Sequence, residues 1–254
     1  MLHREDRSGI VVLRIDHGKA HALDIELSSA LKDTLDRIET DQAVKGVVLT
    51  GTGSIFSAGV DLFRIVEGGP DYIDEFLPSL AETFLTLFQL PRPVIAAING
   101  HAIAGGCMLA ISCDYRIMAE DSGDIGVPEL RVGVPFPLVA MEILRFATSE
   151  AHLQELVYLG RSYSPRDAQE RGLVDEVVDA DALLDRALEV VTRLAAEPSA
   201  RFRITKRQLR TPTIERIASH GSGVDKQVLA AWKDPATLVA ITQYVQDLKS
   251  RRAS

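Results

Sequence analysis

The sequence predicts an α/β protein with a mostly parallel sheet, and three observations carry that prediction. Short β-branched runs alternate with helix-like runs up to about Asp181. Each strand-like run stops at a turn rich in Gly, Asn or Asp. Beyond Asp181 no strand pattern remains, and the signal is helical to the end. Strict strand–helix alternation implies crossover connections, which within one sheet join parallel neighbours.

Taken in order, Ile10–Ile15 (IVVLRI) reads as a strand stopped by Asp16-His17-Gly18. Asp24 is placed to cap a helix in which Leu27, Leu31, Leu35 and Ile38 recur at helical spacing. Residues 44–50 (VKGVVLT) form a buried strand, broken by Gly51-Thr52-Gly53-Ser54. Val94–Ile98 is a strand ended by Asn99-Gly100, residues 105–113 are apolar and unbroken enough for a buried helix, and residues 115–118 return as a strand. Residues 149–159 are helical, and Ser164-Pro165-Arg166-Asp167 starts another helix with a cap, a proline at the first position and a carboxylate in the first turn. Gly172 ends it, and residues 173–178 give the last strand. The helical tail is expected to break at Pro198, Pro212, Gly221-Ser222-Gly223 and Pro235. Such a tail cannot bury all its apolar faces in itself and must dock on the core or on another subunit. The expected division is a core over 1–195 and a helical oligomerisation region over 196–254.

At 254 residues, 46% hydrophobic and 25% charged, the chain is long enough for one large core and too ordinary for a disordered or fibrous protein. Its 28 Lys+Arg against 36 Asp+Glu leave a net charge of −8, which opposes a nucleic-acid or acidic-membrane partner. The two cysteines, Cys107 and Cys113, make neither a disulfide framework nor a zinc pattern, so a reducing compartment is expected. The N-terminus MLHREDRSG is charged where a signal peptide is apolar, and no run approaches the ~18 apolar residues of a membrane span. A cytoplasmic protein is expected.

Several motifs fail on inspection. Gly51-Thr52-Gly53 follows a strand, but a dinucleotide fingerprint would need a third glycine at Phe56. Gly100 and Gly105-Gly106 lack the Lys-Ser/Thr pair that grips nucleotide phosphates. Ser57, in F-S-A-G, is not in a nucleophile elbow. His17 and His21 fall on a turn rather than on one helix face, so no metal is expected there.

What remains is a set of three segments: 56–62 (FSAGVDL), 99–114 (NGHAIAGGCMLAISCD) and 126–135 (GVPELRVGVP). Small residues just past a strand and glycines opening a buried helix let a ligand approach the backbone closely. Two amides converging there, one at the positive end of a helix, would hold an oxygen that gains negative charge. The same glycines would equally serve tight helix–sheet packing.

In order, spacing and flanking residues these segments resemble the crotonase superfamily, the enoyl-CoA hydratase/isomerase family, over nearly the whole chain from IVVLRI through CDYRIMAE and GLVDEVV into the tail. The resemblance implies a spiral of β-β-α units with a C-terminal helical region that builds homotrimers, often paired as hexamers. It implies an acyl-CoA thioester as ligand, with no cofactor beyond the CoA of the substrate. By that match Ala58 and Gly105 supply the oxyanion-hole amides, and Glu129 is the catalytic base. Lys19, Ala20, Ala22, Ser57, Gly59, Val60, Asp61, Leu62, Gly106 and Pro128 belong to the substrate and CoA site.

The resemblance also discriminates between reactions. Family hydratases carry a second glutamate in G-G-C-E-L, where this chain reads Gly105-Gly106-Cys107-Met108-Leu109. Adding water gains from two acid/base groups, whereas moving a double bond needs one base that takes a proton and returns it. The chain is most similar to the Δ3,Δ2-enoyl-CoA isomerase branch. The alternatives are a hydratase using one glutamate and a non-catalytic acyl-CoA-binding homologue. Residues 65–88, with Phe136 and Leu138, are either a cover for the acyl tail or plain core. Because CoA is anionic, Lys19, Lys206 and Arg207 are expected to help hold it against the negative net charge.

Overall fold

A computed structural model describes residues 1–196 and 199–253. β1 (Leu2–Arg7) is an exposed edge of alternating charges that pairs antiparallel with β2 (Ile10–Ile15), and its polarity hid it in the sequence. Asp24 caps α1 (Ile25–Thr40) by accepting the Leu27 amide at 2.7 Å, and the predicted Leu27, Leu31, Leu35 and Ile38 form its buried stripe. β3 (Gly46–Gly51) follows, buried throughout, and then the short β4 (Ile55–Ser57).

Residues 65–88 lie within α2 (Leu62–Gln89), capped by Asp61 and bent where Gly69 takes φ 58° ahead of Pro70. β5 (Val94–Ile98), β6 (His101–Ile103), the wholly buried α3 (Gly105–Ser112) and β7 (Tyr115–Ala119) come next. The short β8 (Ile125–Gly126), α4 (Glu129–Val132) and α5 (Leu138–Ala147) complete the wall around the site. α6 (Glu150–Leu159), β9 (Ser162–Tyr163), α7 (Pro165–Glu170) and β10 (Glu176–Val178) follow, with Ser164 capping α7 as its sequence requires. α8 (Leu183–Ala195), α9 (Ser199–Lys233) and α10 (Pro235–Ala253) make up the tail.

The main sheet runs β1-β2-β3-β5-β7-β10 and is parallel except at β1–β2. A smaller sheet, β4-β6-β8-β9, lies beside it. Each turn of chain thus places one long strand in the first sheet and one short strand in the second, the repeated β-β-α advance of a spiral. The short strands escape a periodicity argument because two or three residues show no alternation.

Two predicted tail breaks do not occur. Pro212 and Gly221–Gly223 lie inside α9, while Pro235 does open α10; the break predicted at Pro198 lies outside the described residues. Tertiary anchoring overrides the local helix penalty. Arg210 is buried, donates to the carbonyls of Phe88, Ser112 and Cys113, and pairs with Asp114 at 2.8 Å. Lys206 is also buried and pairs with Asp114 at 2.8 Å. It is therefore not available to CoA, contrary to the expectation; it fastens α9 to the core.

Candidate active site

A cleft of about 470 Å³ opens between the 17–22 turn, the loop after β4, the start of α3, the segment around α4 and the helical tail. Ten of the predicted residues line it: Lys19, Ala20, Ala22, Ala58, Val60, Asp61, Leu62, Gly105, Pro128 and Glu129. Arg207 is exposed and does not line it.

Ser57, Gly59 and Gly106 are corrected from ligand contacts to parts of the wall, since none of them lines the cleft. The Ser57 hydroxyl is buried, donating to the His21 carbonyl at 2.7 Å and accepting from the Gly59 amide at 3.2 Å. A Cβ on Gly106 would lie 2.1 Å from the Ser57 carbonyl oxygen, so glycine is what lets α3 rest on β4. Gly59 has φ 87°, and a Cβ there would meet the Ile103 carbonyl at 2.5 Å.

The oxyanion donors also need correction. The Ala58 amide is occupied, donating to the Ala20 carbonyl at 3.0 Å. Leu23 pairs in parallel with Val60, its amide donating to Gly59 O at 2.7 Å and its carbonyl accepting from Asp61 N at 2.9 Å. In extended chain adjacent residues turn their polar groups to opposite sides. The Val60 N–H therefore points away from Leu23 toward α3, where a Cβ on Gly105 would lie 3.6 Å from the Val60 nitrogen. Gly105 is the first residue of α3, so its N–H has no intrahelical acceptor. Neither amide finds an acceptor among the described residues. Ala104, at φ 51°, sets the sharp entry to this helix. Val60 and Gly105 thus present two converging donors at the positive end of a buried helix. The signal for Val60 was its pairing with Leu23, which no motif displays.

The same cleft is lined by Glu129, first residue of α4, only 9% exposed, with Oε2 bonded to nothing among the described residues. Burial pushes its carboxyl up to about 8, with only a backbone hydrogen bond opposing the shift. Asp61, the other carboxylate in the lining, is spent on the cap of α2, accepting the Phe63 and Arg64 amides at 3.0 and 3.2 Å. Met108 is buried and contributes an apolar surface. Leu80 and Phe84 line the apolar end, whereas Phe76, Leu77, Phe136 and Leu138 are core. Sequence reasoning missed Trp232, Tyr244 and Leu248, which reach the cleft from the tail. The Trp232 indole donates to the Pro135 carbonyl at 2.9 Å and so fixes the stretch just after α4.

The cleft of this spiral α/β fold thus gathers two free backbone amides, a buried carboxylate and an apolar lining. The chain belongs to the enoyl-CoA hydratase/isomerase family, whose profile matches residues 5–249. It is 27% identical over 254 residues to mouse mitochondrial enoyl-CoA delta isomerase 1, covering 99% of this chain and 88% of that one. It is 34% identical over 202 residues to a putative enoyl-CoA hydratase of Thermus thermophilus, covering 78% and 79%. The crystal structure of human mitochondrial delta3-delta2-enoyl-CoA isomerase superposes with a TM-score of 0.94 at 26% identity, covering 98% of both chains. The spiral fold implied by the sequence is thereby established, with its mainly parallel principal sheet.

Proposed function

We propose that this member of the family is an enoyl-CoA isomerase that converts a 3-enoyl-CoA to the 2-trans isomer. The observation that supports it is that, among the described residues lining the cleft, Glu129 is the one carboxylate without a side-chain or capping partner, while the position that would bring a second is Met108. Ionised Glu129 removes a proton from C2 of the acyl chain, leaving a dienolate whose thioester oxygen takes hydrogen bonds from the Val60 and Gly105 amides. The same carboxyl then returns the proton to C4. Nothing is gained or lost, so the step needs neither water nor a redox partner. Two preorganised donors in a site shielded from water are worth several kcal/mol at that oxygen.

The acyl chain occupies the end formed by Leu80, Phe84 and Trp232, and Lys19 stands among the mouth residues that receive the CoA. A homotrimeric or hexameric assembly, built on the region after residue 195, belongs to the same proposal; Ile204, Leu209 and Val239 leave 54%, 64% and 69% of their surface exposed on the tail. A 3-enoyl-CoA and a trans-2-enoyl-CoA, offered separately, test the reaction. The 2-trans product is expected from the first, and water addition to the second at a comparable rate would overturn the choice in favour of a hydratase. Binding of both without turnover would reduce the protein to an acyl-CoA binder.

A further inference from the structure

The cleft mouth holds a pair that the proton shuttle does not use. His17 lines the cleft, and its Nε2 lies 2.6 Å from Asp24 Oδ2. Asp24 is itself nearly buried, with its other oxygen committed to the cap of α1. The carboxylate is therefore fixed, and it fixes the ring. The adjoining turn is held as well: the His17 amide donates to His21 Nδ1 at 3.0 Å, and His21 Nε2 meets the Thr52 carbonyl at 2.9 Å. His17 Nδ1 has no partner among the described residues, and the side chain is 23% exposed.

We infer that His17, oriented by Asp24, is a recognition residue for a phosphate of the CoA headgroup. This rests on the acyl-CoA reading above and names which group at the mouth reads the nucleotide end. A ring whose Nε2–H points at a carboxylate has Nδ1 left to meet a ligand. With both ring nitrogens protonated, Nδ1 is a second donor, and that donor is what a phosphate oxygen would accept. Lys19, two residues on, lines the same mouth and adds a mobile cation.

The other charges nearby do not compete for Nδ1. Asp16 is taken by His3 at 2.9 Å, Glu26 pairs with Arg64 at 2.6 Å, and Asp61 caps α2. A fixed donor at the mouth offers an anionic headgroup a local contact that the net charge of −8 does not provide.

Calorimetric titration with octanoyl-CoA, octanoyl-3′-dephospho-CoA and octanoyl-pantetheine tests it without requiring turnover. His17→Ala should weaken octanoyl-CoA about tenfold and leave octanoyl-pantetheine unchanged. A loss that persists on the dephospho compound assigns the pyrophosphate, and one that vanishes there assigns the 3′-phosphate. Asp24→Asn, which still caps α1, should show a smaller loss on octanoyl-CoA with thermal stability kept. An equal loss on all three ligands, or none on any, would overturn the inference. Failure of the wild-type protein to bind octanoyl-CoA would instead overturn the acyl-CoA reading.

Discussion

Glu129 and Asp114 are carboxylates held in the same interior, and they are treated in opposite ways. Asp114 receives Lys206 and Arg210 at 2.8 Å each, and the Val94 amide at 2.8 Å. Glu129 receives no side chain among the described residues, and its Oε2 has no partner there. The first arrangement gives both carboxylate oxygens partners and uses them to hold the tail to the sheet. The second leaves a buried carboxyl without the partners that would hold it ionised, as the proposed role of Glu129 as a base requires. Satisfaction marks a structural carboxylate and deprivation marks a reactive one.

The sharpest way to break this contrast is to neutralise each in turn. Glu129→Gln should lower kcat by about 10³- to 10⁴-fold while acyl-CoA affinity stays within a few-fold, measured by turnover of a 3-enoyl-CoA and by calorimetry. Unchanged turnover would remove Glu129 from its role. Asp114→Ala should leave activity per folded molecule intact and cost about 3–5 kcal/mol of stability, because Lys206 and Arg210 would remain as buried, uncompensated cations. Chemical denaturation reads that loss directly.

The same logic applies to the amides. Replacing the Val60 peptide N–H by an ester oxygen should reduce kcat by about 100-fold or more. The equivalent change at Ala58 removes only the bond to Ala20 and should cost far less. Equal effects would return Ala58 to the oxyanion hole.

These outcomes depend unequally on what the sequence displays. The long strands, the capped helices and the position of Glu129 are legible because periodicity, caps and a family pattern each leave a mark on neighbouring residues. The edge strand Leu2–Arg7 is not, since its side chains are nearly all exposed and carry no apolar face. The bent helix Leu62–Gln89 resists reading because Gly68, Gly69, Pro70 and Pro78 all speak against a helix that packing nevertheless enforces. The choice of Val60 over Ala58 hangs on a single parallel bridge to Leu23, and the roles of Trp232 and Tyr244 on how the tail folds back. Contacts between residues far apart in the chain leave no local trace.

The smallest effect sharpens the contrast through pH. Burial raises the Glu129 carboxyl from 4.5 to about 8, so between those values the folded protein holds a proton that the unfolded chain releases. Stability from this group is then full below about pH 4.5 and is lost as pH rises toward 8. Lys206 runs the other way: burial lowers its ammonium from 10.5 to about 8, so between 8 and 10.5 the unfolded chain binds more protons and stability rises with pH. Each slope is at most about 1.4 kcal/mol per pH unit, the value for one proton bound in one state and not in the other. Glu129→Gln should flatten the fall below pH 8 and leave the higher window alone. Lys206→Met should do the reverse, as read from denaturation midpoints across pH. If neither variant changes its own window, the two side chains are better solvated than their burial implies, and the distinction between a satisfied carboxylate and a deprived one loses its energetic basis.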